Sequence, residues 1–298
     1  MSVHKTGYAA ICGKTNVGKS TLLNQILGEK LAIISRKPQT TRTRVAGIKN
    51  LPSAQIVFLD SPGLHGGRTT LDRFMLEQAK RVLYESHVVL FVVDARNSAE
   101  YEWKNQGAYV GDVAVPVVLL INKIDLLRSR DVLLPLIDNY SKVHPFSEII
   151  PVSALKAEGI ASVIEKTASL LPVGPQLFPE DILTDIPERV IASEIVREKI
   201  IELLHQELPY STAVVVESFE EKKDGNLLAI EAAIYVEKQS QKGIVIGKKG
   251  QQLKEIGTLS RQELEGFFGV KVFLNLWVKV EKNWSSRTQG LRKLGYLR

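Results

Sequence analysis

The segment Gly13-Lys14-Thr15-Asn16-Val17-Gly18-Lys19-Ser20 constrains this chain more than any other. It fits G-x-x-x-x-G-K-[ST], follows the β-branched apolar run Gly7 to Cys12, and opens a helical run, Ser20 to Leu27, with Leu22, Leu23, Ile26 and Leu27 on one face before Gly28. A glycine-rich turn between a strand and a helix aims backbone amides at a phosphate and adds the positive end of the helix. It also sets a lysine on the β and γ phosphates and a hydroxyl on magnesium. At ordinary residue frequencies chance supplies the pattern on the order of 0.01 times in such a chain. Gly13, Asn16, Val17, Gly18, Lys19, Ser20 and Thr21 are thus the candidate phosphate-binding residues.

Further apolar runs, Gln55 to Leu59, Val88 to Val93, Val117 to Ile121 and Ile149 to Val152, alternate with helical stretches from Thr70 to Tyr84 and from Ile160 to Leu171. That alternation predicts an α/β unit, a mostly parallel sheet with helices on both faces and ligands at the carboxyl ends of the strands. The residues at those ends select the ligand. In Asn122-Lys123-Ile124-Asp125 the Asp125 carboxylate can accept both N–H groups of a guanine edge, whereas adenine would leave it unpaired. A backbone amide at Ser153-Ala154 is expected to donate to guanine O6. Asp60-Ser61-Pro62-Gly63 offers a carboxylate for magnesium and an amide that can sense a γ-phosphate, and Gln39-Thr40-Thr41-Arg42 offers a hydroxyl, with Thr41 preferred to Thr40. Ser20, Thr41 and Asp60 form the expected magnesium set, and Lys19, Thr41 and Gly63 the catalytic one.

These five segments, in this order, resemble the translation-factor-like class of small GTPases. One departure is shared by a subgroup: Leu64 stands where Ras-like proteins place the glutamine that orients the attacking water. The resemblance implies that Asn16, in the matching loop position, helps hold a potassium ion over the phosphates; a loop former that merely tolerates the turn is the other reading.

The second part of the chain has a different plan. Pro172, Pro175, Pro179 and Pro187 punctuate a segment that cannot be one helix or strand, which reads as an ordered linker over 173–187. Beyond it come a helix (188–206), two strands (212–218 and 227–236) joined at Asp224-Gly225-Asn226, a short helical turn, a helix (251–268) and a last strand (270–280). Residues 173–237 carry 5 basic and 14 acidic side chains, and 238–298 carry 13 and 4, so a strongly basic stretch suited to a polyanion follows an acidic one. Ile244-Val245-Ile246-Gly247-Lys248-Lys249-Gly250 contains a G-x-x-G between two helices. The order helix, strand, strand, helix, helix, strand is similar to that of a type II KH domain. In that module the glycines admit a single-stranded RNA backbone, Lys248 and Lys249 meet phosphates, and Ile244 and Ile246 line the base groove. Trp284, between Lys282 and Arg287, is the one tryptophan expected to touch RNA.

Together the motifs resemble the Era family of KH-domain GTPases over nearly all 298 residues, including Phe178-Pro179-Glu180-Asp181, Thr184-Asp185, Val278-Lys279-Val280, Asn283-Trp284 and Leu294-Gly295-Tyr296. Thr15 and Ser61, where the family has Pro and Thr, remove no ligand. The resemblance implies a GTPase domain (1–172), the linker, a KH domain (188–280) and a basic tail (281–298). It also implies GTP, GDP and Mg2+ as ligands, and binding of the 3′ end of 16S rRNA during maturation of the pre-30S subunit. A monomer in the cytoplasm is expected, with weak peripheral association at the inner face of the cell membrane left open. The single cysteine excludes an internal disulfide, five histidines show no metal-ligand spacing, and no apolar run reaches the ~18 residues of a membrane span. Two other readings stand beside the GTPase: an RNA-binding module that keeps GTP as a structural ligand, which Leu64 allows, and a metabolite kinase, which leaves Asp125 unexplained.

Overall fold

A computed structural model describes residues 4–34, 37, 40–64, 69–204, 208–222 and 225–297. Gln39, His205, Gln206 and Asp224, to which the sequence assigned a switch segment, a helix end and a turn, lie outside them. Contacts divide the chain into one unit of residues 1–67 and 72–185 and a second of 68–71 and 186–298.

The first unit runs β1 (Lys5–Cys12), α1 (Lys19–Leu27), β2 (Val45–Leu51), β3 (Ala54–Asp60), α2 (Thr70–Glu85), β4 (Val88–Asp94), α3 (Ala99–Val110), β5 (Val117–Asn122), α4 (Leu133–Ser141), β6 (Glu148–Pro151) and α5 (Ile160–Leu170). The sheet order is β2-β3-β1-β4-β5-β6, parallel except that β2 runs antiparallel to β3. β3 and β4 are buried along their whole length, which explains their apolar runs Ile56–Leu59 and Val88–Val93. The β1–β3 register sets Ile11 opposite Asp60, and the β4–β5 register sets Asp94 opposite Asn122, so the carboxyl ends of four strands share one edge and three of them end on a polar residue.

Three elements were not expected. β2 carries Gly47, Lys49 and Asn50, poor strand formers, and forms because a tight turn pairs it with β3 residue by residue from Leu51↔Ala54 to Val45↔Asp60. α3 starts at Ser98, whose hydroxyl accepts from Tyr101 N at 3.2 Å, and carries a glycine, Gly107, in its interior. α4 includes Pro135 and exposed leucine, which blur its periodicity.

Residues 173–185 pack within the first unit, so the boundary by contacts falls at Asp185/Ile186. The buried Gln55 side chain accepts from Leu177 N (2.7 Å) and Phe178 N (3.0 Å) and donates to Phe178 O (2.8 Å). Further along, Ile48 N donates to Leu183 O, Thr184 Oγ1 to Ala46 O, and Arg44 pairs with Asp185 at 3.0 Å.

The second unit comprises α6 (Glu188–Leu203), β7 (Ala213–Glu221), β8 (Leu227–Val236), α7 (Gln239–Ile246), α8 (Gln251–Phe268), β9 (Lys271–Val280) and α9 (Thr288–Lys293). β8 lies between antiparallel β7 and parallel β9, and its core joins Val196 and Ile200 of α6, Ile234, Val236, Val245, Ile256 and Val278. The last 18 residues are no loose basic tail, because Trp284, Leu291 and Leu294 are buried. Trp284 is 0 % exposed, donates Nε1–H to Ser211 O at 3.0 Å and stacks on Tyr296. The expectation that it touches RNA is therefore corrected: charged neighbours in sequence put the ring at the surface on paper, and its packing makes it a core anchor. Trp284→Ala is expected to cost the second unit about 3–5 kcal/mol, read as an earlier urea midpoint for that unit, with the first unit's transition unmoved.

Candidate functional site

Gly13 to Ser20 forms the turn between β1 and α1. Lys19, although charged, is buried, and its ammonium donates to Gly13 O (3.1 Å) and Lys14 O (2.9 Å), which curls the loop around it. Gly18 adopts φ 100°, and a Cβ there would lie 2.4 Å from Asn122 Nδ2. The reason is visible across the site: Asn122, 2 % exposed, donates to Val17 O at 2.7 Å and accepts from Ala154 N at 2.9 Å. One amide thus ties the loop, the end of β5 and the segment after β6.

Ser20 Oγ donates to Asp60 Oδ2 at 2.7 Å, Thr41 Oγ1 lies 3.0 Å from Ser20 Oγ, and Thr41 Oγ1 donates to Asp60 Oδ2 at 3.2 Å. Among the described residues, Asp60 Oδ1 is buried without a hydrogen-bond partner. Two hydroxyls gathered on Asp60 Oδ2, beside an Oδ1 left over, make a hard-oxygen set of three side chains that fits Mg2+. Thr41, rather than Thr40, reaches this cluster. Burial pushes the Asp60 carboxyl up against the pull of Lys19, and burial pushes the Lys19 ammonium down against the pull of Asp60. A dication beside the carboxylate and a polyphosphate beside the ammonium would oppose both shifts.

A cavity over the loop is lined by Thr15, Asn16, Lys19, Ser20, Thr21, Thr41 and Gly63, among others. Asn16 has φ 64°, and its carbonyl accepts from Lys123 Nζ. Leu64 is 3 % exposed and joins the sheet's hydrophobic core, while its N–H donates to Gly13 O. Ser61 uses its hydroxyl to bind Ile11 O at 3.0 Å. Asp125 Oδ1 accepts from Ser153 Oγ at 2.5 Å, which orients the carboxylate. The amides at Ser153 and Ala154, expected on guanine O6, are both engaged inside the protein, with Glu158 O (3.0 Å) and Asn122 Oδ1.

In the second unit, Lys248 and Lys249 stand exposed at the tip between α7 and α8. Gly247 has φ 72°, and a Cβ there would meet Gln252 Cβ at 2.6 Å, so only glycine allows this turn. Beside Gly250 runs a groove lined by Leu253, Gly257, Arg261, Leu274 and Leu276. Ile244 is exposed next to the turn and Ile246 packs on the core; neither is among the groove's lining residues, so the apolar wall comes from α8 and β9 instead. Gly257 in mid-helix was the sequence signal for that groove.

Residues 8–123 match the family described as 50S ribosome-binding GTPase, and residues 207–285 match the KH domain. The chain is 49 % identical over 292 residues to GTPase Era of Geotalea uraniireducens (strain Rf4), covering 98 % of both, and 44 % identical over 293 residues to GTPase Era of Ruminiclostridium cellulolyticum, again 98 % of both. Among solved structures, Era in complex with MgGDPNP and nucleotides 1506–1542 of 16S ribosomal RNA has a TM-score of 0.95 at 45 % identity, over 99 % of this chain and 100 % of that one. An Aquifex aeolicus Era variant bound to GDP·AlF4− gives the same values.

Gly18→Ala is expected to separate Asn122 from Val17 O and to weaken guanine-nucleotide binding at least 100-fold, about 2.7 kcal/mol. Equilibrium titration with GDP, beside a circular dichroism spectrum that reports the fold, reads this directly.

Proposed function

The chain belongs to the Era family of GTPases, and from that premise we propose that its two units divide one task, a GTP-driven switch in the first and RNA capture in the second. The observation that carries the first half is the convergence of Ser20, Thr41 and Asp60 within 3.2 Å of one another beside the buried Lys19. GTP binds with its phosphates in the Gly13–Ser20 turn and its base against Asp125. Ser20, Thr41 and Asp60 hold Mg2+, which neutralises phosphate charge as the γ-phosphoryl group is transferred. Lys19 binds the β and γ phosphates, and the Gly63 amide senses the γ-phosphate. Since Leu64 is committed to the core, no carboxamide orients water there. We assign a supporting role to K+, held with the help of Asn16, whose left-handed backbone places it over the cavity. That a relative was captured with GDP·AlF4− favours turnover over a purely structural nucleotide.

For the second half, the exposed Lys248-Lys249 tip beside the α8–β9 groove is the RNA-binding surface, and the 3′ end of 16S rRNA is its ligand. The relative that holds nucleotides 1506–1542 supports this reading. The family description that names the large subunit covers residues 8–123 only, outside the RNA-binding unit. Action on the pre-30S particle, as a monomer in the cytoplasm, follows from the same reading. No described helix is long and apolar enough to cross a membrane, so any contact with the inner membrane face would be peripheral.

At equal ionic strength, single-turnover hydrolysis is expected to be faster in K+ than in Na+, and Asn16→Ala is expected to remove the difference; equal rates in both salts would take the ion out of the mechanism. Lys248→Asp with Lys249→Asp is expected to lower the slope of log affinity against log salt by about 1.4, at roughly 0.7 per phosphate on a single strand. Base preference and GTP affinity should persist. A salt titration with an oligonucleotide from the 16S 3′ end measures this, and an unchanged slope would move the RNA to another surface.

A further inference from the structure

Asp94 ends β4 opposite Asn122 and has a side chain 7 % exposed. Its carboxylate accepts from Arg96 N (3.1 Å) and Arg96 Nε (2.9 Å) at Oδ1, and from Arg96 Nη2 (2.7 Å) at Oδ2. Lys123 Nζ pairs with the same Oδ2 at 2.9 Å. The Lys123 ammonium then donates to Asn16 O. Both ends of this bridge sit in the left-handed region, Lys123 at φ 67° and Asn16 at φ 64°. Such a backbone is disfavoured for a residue with a Cβ and persists where its surroundings hold it. Burial by itself would raise the Asp94 carboxyl, but the hydrogen bonds from Arg96 and Lys123 outweigh it and bring it to about 2, so the carboxylate is charged at any working pH.

We infer that Asp94 is a positioning residue for guanine-nucleotide binding: its carboxylate seats the Lys123 ammonium on the Asn16 carbonyl and so locks the base-reading segment to the phosphate loop. Asp94 itself lies behind Lys123 and acts through it. Three features distinguish this from a generic buried ion pair. The ammonium has two acceptors from two segments, the Asp94 carboxylate and a phosphate-loop carbonyl. Arg96, which shares the carboxylate, is half exposed and folds back on Asp94 with its own N–H, Nε and Nη2, so it restrains the carboxylate from the same segment. The hydroxyl and carboxylate groups assigned to Mg2+ belong to α1, the segment before β2 and the end of β3, so the bridge governs how the nucleotide is held and leaves the γ-phosphate chemistry alone.

The inference rests on the reading of Asn122 to Asp125 as the guanine segment, and a double-mutant cycle on the full chain keeps the two apart. Release of a fluorescent GDP analogue is timed with Mg2+ present for the wild type, Asp94→Asn, Lys123→Met and the double variant, alongside KM and kcat for GTP. Asp94→Asn is expected to speed release and raise KM at least tenfold with kcat within threefold. In the Lys123→Met background the same substitution should change release less than twofold, because the ammonium it positions is gone. An equal factor in both backgrounds, or a loss of kcat at constant KM, would overturn the positioning role. Wild-type release by Lys123→Met alone would overturn the reading of the guanine segment, and this inference with it. Asp94→Ser, which leaves room for a water, runs the same cycle if Asp94→Asn does not fold.

Discussion

The nucleotide site hangs on a side chain that need not touch the reacting phosphates. Asn122 presents a donor to Val17 O and an acceptor to Ala154 N from a position 105 residues from one partner and 32 from the other. Aspartate could only accept, lysine could only donate, and an aliphatic residue would strand both partners in a buried site at about 1–3 kcal/mol each. The demand then propagates. The phosphate loop must pass within van der Waals reach of that amide, which leaves room for glycine alone at position 18. β5 must lie two strands from β1 with β4 between them, which is the sheet order found.

The same economy appears in how charge is buried. Lys19 and Asp60 each tend toward neutrality in the dry loop, and each is restrained by the other and by neighbouring oxygens or carbonyls. Fixed donors and charges thus converge on one edge of the sheet, the kind of arrangement in which electrostatic stabilisation is largest. Leu64 shows the complementary choice. By entering the core it anchors the backbone whose N–H binds Gly13 O.

What the sequence disclosed follows the range of the interactions concerned. The motifs at strand ends are local, each within four to eight residues, and the structure brings them to one edge because the parallel sheet requires it. β2 was illegible because its stability comes from pairing with β3 and not from its own residues, and α3 because an interior glycine and a weak apolar stripe hide its period. Trp284 was misread for the opposite reason: its sequence neighbours are charged, while the partners that bury it, Ser211 and Tyr296, lie 73 residues before it and 12 after it. The groove proposed for RNA was half seen. Its glycine turn is contiguous in sequence, but its apolar wall is assembled from α8 and β9 and becomes visible only in three dimensions.

The linker illustrates how a polar, proline-rich segment becomes part of a fold. Its backbone cannot join a continuous sheet, yet its amides need partners, and Gln55 supplies three bonds from a side chain buried at the start of β3. Farther on the partners change to β2, through Ile48 N, Ala46 O and finally Arg44 with Asp185. The order matters because β2 begins four residues after Thr41, a magnesium candidate, and the segment held along it ends at the residue before the second unit. Thr41 and Asp185 are therefore connected by only three residues of chain and one ion pair. That pair is about one-third exposed at each partner, so it contributes roughly 0–1 kcal/mol and is screened by salt. Within the first unit, the contact nearest the switch is the weakest of the series. The far end of the linker is held instead by the buried Gln55 side chain through three hydrogen bonds.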